Sequence, residues 1–93
     1  MIKQFKSKNQ FVIEEKGKTT FQSYDSTIAI LEVGELTFGE DWQYSRTTLK
    51  YLYLFLKEYT YRNDIELALE SKNKKKALQD LIDNGIIHYD ETL

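Results

Sequence analysis

The chain has no cysteine and no proline, only four glycines, and a single histidine among its 93 residues. Without cysteine, disulfides, thiol nucleophiles and thiolate metal sites are excluded, stability must come from packing, and a reducing, cytoplasmic compartment is the expected setting. The one histidine, His88, sits near the end of the chain with Asp90 and Glu91 and reads as a surface residue at a strand end. No nucleophile stands beside a base, no carboxylate pair suggests divided acid and base roles, and no ligand set suggests a metal. A non-enzymatic chain with no cofactor and no metal is therefore expected. Long apolar runs are missing too. Lys50 and Lys57 break the most apolar stretch well short of the roughly 20 residues a membrane span needs, and Met1-Ile2-Lys3-Gln4-Phe5 does not open an apolar signal segment. No membrane partner is expected.

What is present is a globular composition, 41% hydrophobic and 30% charged, in a length that holds one modest core. The reading is a single α+β domain over residues 1–93, an N-terminal antiparallel sheet of two hairpins packed on two to three C-terminal helices. Gln10 to Glu14 alternates, with Phe11 and Ile13 on one face and Val12 on the other. Gly17 supplies the turn to a return strand, Thr19 to Ser23. In Val33-Gly34-Glu35-Leu36 the glycine at the first central position predicts a type II′ turn that pairs Val33 with Leu36 and Leu31 with Phe38. Ile28 and Ile30 would then lie on the opposite face.

From Ser45 the apolar period becomes helical. Ser45 reads as an N-cap flanked by a Tyr44–Leu49 staple, with Thr48, Leu49, Leu52, Tyr53 and Leu56 on one face, and Tyr51 and Phe55 on another. Asn63-Asp64-Ile65-Glu66 has the form of a capping box for a short second helix. Asn73 reads as the cap of a third helix, closed by Gly85 at the C′ position, with a short strand over Ile86 to Tyr89.

Charge is unevenly laid out although the net is only −2. No lysine or arginine lies between Lys18 and Arg46, a stretch holding Asp25, Glu32, Glu35, Glu40 and Asp41. Such an acidic ribbon suits the basic cleft of a partner protein, while carboxylates on turns and solvent faces are also ordinary. Conversely, Lys72, Lys74, Lys75 and Lys76 crowd the start of the third helix, where the macrodipole disfavours cations. With Arg46 they are the candidate contacts to a nucleic-acid backbone, and Arg46 with Ser45, Thr47 and Lys50 could make an anion-binding helix start, although a solvated first turn is the more ordinary reading. Seven tyrosines are more than a small core can absorb, so Tyr24, Tyr59 and Tyr61 are candidate surface anchors, whereas Trp42 and Tyr44 read as packing between sheet and helix.

Two segments carry a family resemblance: Phe21-Gln22-Ser23-Tyr24 with Ile28-Ala29, and Trp42-Gln43-Tyr44-Ser45-Arg46-Thr47-Thr48-Leu49-Lys50-Tyr51-Leu52. The chain resembles small, largely uncharacterised proteins of phages and plasmids of Gram-positive bacteria that share FQSY-x3-IA and WxYSxTTxKYL elements. Lys75 to Ile87 is similar to their closing helix. The resemblance implies a mobile-element accessory protein working in the bacterial cytoplasm. Such proteins commonly bind and inhibit, or redirect, a host or defence protein, anti-CRISPR inhibitors being one such class. Tyr24, Glu32, Glu35, Glu40 and Asp41 are the expected partner-binding residues. The alternative is a small nucleic-acid-binding regulator using Arg46, Lys72, Lys74, Lys75 and Lys76.

Overall fold

Strand alternation places Val12, Phe21, Ala29, Leu36 and Phe38 on one face of a sheet, and all five are buried. The computed structural model describes all 93 residues: strands β1 (Ile2–Gln4), β2 (Gln10–Glu15), β3 (Lys18–Ser23), β4 (Ser26–Glu32) and β5 (Glu35–Gly39), helices α1 (Arg46–Tyr59), α2 (Asn63–Glu70) and α3 (Lys74–Asp83), and strand β6 (His88–Asp90). The six strands are ordered β1-β2-β3-β4-β5-β6. The first five form an antiparallel meander, and β6 returns through the helices to pair parallel with β5. The α+β architecture expected from the sequence is thus the observed one, with three helices.

The helices cover the Val12–Phe21–Phe38 face. Leu52, Phe55 and Leu56 of α1 are fully buried, Phe55 stacks on Phe21 at 5.4 Å, and Phe5 meets both rings edge-on at 6.0 and 6.4 Å. Each such side chain contributes on the order of 1.5–3 kcal/mol through burial. Trp42 closes the core beside Phe38, 5.2 Å between centroids, and Leu78 of α3 and Ile87 complete it. Ser45 and Asn73 cap α1 and α3, their side chains accepting from the amides of Thr48 and Lys76. Gly85 at φ +74, with its amide on Ile82 and that of Ile86 on Leu81, ends α3 in a Schellman motif.

Several expectations are corrected. The β4–β5 turn is centred one residue earlier than expected, on Val33 and Gly34, both at positive φ (+51 and +76) as a type I′ turn requires. The register is therefore Leu31 with Leu36 and Ala29 with Phe38, and Val33 projects into solvent instead of joining the core face. Ile28 is buried beside Ala29 because the β3–β4 register shifts there, a bulge that breaks the two-residue alternation. On α1 it is Phe55 that faces the sheet, while Tyr53 and Leu49 are half-buried at its margin. The expected staple is not formed, since Tyr44 is 75% exposed. Nor does α2 have a capping box: Arg62 occupies the N-cap position without a side-chain cap, and Asp64 accepts from the Ile65 amide and pairs with Arg62 at 2.8 Å. The edge strand β1 was not foreseen, and the last strand begins two residues later than expected.

Candidate functional site

Three chain segments converge at one end of the sheet. The β3–β4 turn brings Tyr24 and Asp25, the exit of β5 brings Glu40 and Asp41, and the α1 start brings Tyr44, Ser45, Thr47 and Thr48. Between them lies a cleft of about 580 Å³, within the ordinary range of small-ligand sites. Ser23, Ser26 and Ile28 complete its lining, whereas Glu40 lines a separate pocket with Trp42, Gln43, Tyr89 and Gln79 of α3.

Local bonding fixes this lining. Ser23 Oγ and Thr48 Oγ1, both buried, are 3.0 Å apart and tie β3 to α1. Ser45 Oγ accepts the Thr48 amide at 3.1 Å and donates to Thr48 Oγ1 at 3.2 Å. Ser26 Oγ donates to Asp41 Oδ2 at 2.7 Å, which fixes one carboxylate oxygen. No lysine, arginine or histidine nitrogen comes within 4 Å of either Asp25 or Asp41. Tyr24 holds a left-handed backbone, φ +54, that an aromatic residue seldom adopts. Its amide donates to the Asn9 carbonyl at 2.7 Å and its carbonyl accepts from Gln22 Nε2 at 2.8 Å, so both neighbours hold the strained turn. Tyr24 and Tyr44 are 48% and 75% exposed.

The acidic residues singled out in the sequence do not form one surface. Tyr24 and Asp41 line the cleft, Glu40 follows β5 at the same end of the sheet but lines the pocket beside α3, and Glu32 and Glu35 face each other across the β4–β5 hairpin at the other end of those strands. There Glu32 is also the cross-strand neighbour of Lys18, and Glu35 lies 3.8 Å from His88 Nε2. The basic candidates are divided as well. Arg46 and Lys50 lie on another flank of α1 with Leu49 and Tyr53, while Ser45 and Thr47 face the cleft and its carboxylates. Those carboxylates make the α1 start a poor anion site. Lys72, Lys74, Lys75 and Lys76 surround the α3 start, where Asn73 takes the Lys76 amide and Lys76 pairs with Asp80 at 3.4 Å. Asp25, Ser26 and Tyr44 were not singled out as site residues, and Tyr44 was read as packing. Its place just before an N-cap fits a staple or a rim equally well, and only the fold decides between them.

The chain belongs to a family of unknown function, DUF8033, whose model matches residues 2–77. The matched region holds β1 to β5, α1, α2 and every residue that lines the cleft. No curated protein and no solved structure matches the chain significantly. None of the three helices is long and apolar enough to cross a membrane.

Proposed function

We propose that this chain is a non-enzymatic binding protein of a phage or other mobile element, which inhibits or redirects a host or defence protein by occupying part of its surface, with the cleft end as the contact face. One observation carries the reading: the two segments that bear the family resemblance, about a dozen residues apart in sequence, supply Ser23, Tyr24, Ile28, Tyr44, Ser45, Thr47 and Thr48 to a single cleft. Exposed tyrosines flanked by carboxylates are well suited to an interface, because a tyrosine buries a large ring at small entropic cost and the charges guide encounter with a basic surface. Tyr24 in a strained turn is consistent with this, since strain held by its neighbours is commonest where a residue is positioned for a task.

The test is affinity capture from a lysate of a Gram-positive host with the wild-type chain, with Tyr44→Ala plus Asp25→Lys, and with Glu32→Lys plus Glu35→Lys, each with and without nuclease. A stoichiometric protein that survives nuclease and is weakened about tenfold or more by the first pair alone supports the reading. Loss through the second pair alone moves the contact to the hairpin tip. Partners that vanish with nuclease, and binding that falls steeply with salt, favour a nucleic-acid regulator using the lysines of α3 instead.

A further inference from the structure

Resting on the reading above, we infer that the cleft receives an arginine side chain of the partner protein. Two carboxylates line it, and neither has a cationic partner on this chain. Asp41 is half-buried, and with Oδ2 occupied by Ser26 its other oxygen has no partner within the chain. Asp25 is exposed on the turn with both oxygens open. The amides and hydroxyls at the α1 start offset part of this charge without cancelling it, because a helix end carries only about half a unit. An anion is thereby disfavoured and a cation favoured. The two aromatic rings narrow the choice of cation. Tyr24, about half exposed, and Tyr44, 75% exposed, stand on different segments lining the cleft, and a guanidinium stacks on aromatic faces while its N–H fork reaches a carboxylate. A lysine ammonium is a compact, more strongly hydrated charge and makes neither the planar stack nor the bidentate contact. The rest of the lining suits an arginine as well, since the Ser26 and Thr47 hydroxyl oxygens can accept from a group that only donates.

Arginine recognition is tested on the isolated chain by titrating N-acetyl-arginine amide and following backbone amide resonances, with N-acetyl-citrulline amide as the neutral isostere and N-acetyl-lysine amide as the second cation. Saturable shifts confined to Tyr24–Ser26 and Asp41–Thr48 are expected from the arginine compound. Citrulline should be at least tenfold weaker and lysine intermediate. Tyr44→Ala and Asp25→Asn, both exposed positions, should each weaken the arginine response severalfold while the remaining spectrum stays unchanged. Equal responses to arginine and citrulline, shifts centred elsewhere, or none at all would overturn the inference. If the Tyr44→Ala plus Asp25→Lys chain loses its captured protein while wild type ignores the arginine compound, the contact face stands and arginine is not its ligand. If the cleft variants capture as well as wild type, the contact face itself falls.

Discussion

Val33 shows how one side chain can oppose its own backbone. Its φ of +51 is set by the two-residue turn, yet its branched Cβ disfavours that region, and the side chain recovers nothing by packing because it is 89% exposed. Asparagine adopts the left-handed conformation far more readily and followed by glycine forms the preferred type I′ pair. Val33→Asn should therefore stabilise the chain by about 1 kcal/mol, which in a domain of this size raises Tm by roughly 4–8 °C. Thermal unfolding of the two proteins checks this, and an unchanged or lower Tm would show that Val33 is not strained. The same conflict hides the turn, whose centre lies one residue earlier and whose pairing is thereby shifted by two: a β-branched residue gives no signal of positive φ, so the sequence points to Gly34 and Glu35 instead. Gly39 marks the opposite case, a close approach. A Cβ there would stand 2.5 Å from the Thr27 carbonyl oxygen, so the exit of β5 toward Asp41 tolerates no side chain.

Helix ends were the most legible elements, because a cap is a local event written in one or two residues. Ser45, Asn73 and Gly85 each do in the structure what their sequence positions imply. At the α2 start, Asn63-Asp64-Ile65-Glu66 has the composition of a capping box, but Asp64 is drawn to the Ile65 amide and to Arg62, whose guanidinium also donates to the Gly34 carbonyl at 3.4 Å. A tertiary contact has overridden a local motif there. Edge strand β1 was illegible for a related reason: Ile2, Lys3 and Gln4 are all exposed, so no burial pattern announces a strand held mainly by its ladder to β2. The cleft was legible only in pieces, since its walls come from separate elements whose meeting depends on the sheet order. Capping is the element-scale quantity open to measurement. Asn73→Ala removes the acceptor of the Lys76 amide from a helix whose first turn is purely basic, and should cost about 1 kcal/mol. Denaturant unfolding with an unchanged m-value would record that loss, whereas no change in midpoint would mean that water replaces the cap at no cost.

At the scale of the molecule, the region that defines the family and the unit that folds are not the same. The family model ends at residue 77, inside α3, before Leu78, Ile87 and β6. Yet Leu78 and Ile87 are fully buried in the core shared with Trp42 and Phe38, and β6 supplies the ladder that covers the outer side of β5. A chain cut after Ala77 would expose those contacts and leave β5 as an unprotected edge. Two large buried apolar side chains lost to the core remove on the order of 3–6 kcal/mol. Total stability of a small domain is only about 5–15 kcal/mol, so this loss takes much or all of it. Residues 1–77 should therefore fail to unfold cooperatively at room temperature and should aggregate at moderate concentration, while residues 1–93 show a single transition. Circular dichroism melts of both chains decide the matter. A cooperative melt of the shorter chain would mean that β1 to β5 with α1 and α2 form a complete core, and that α3 and β6 are an addition to it. In that event the cleft, built wholly from residues before 77, would survive in the short chain. The expected result instead makes the last sixteen residues a structural condition for the cleft, although none of them lines it.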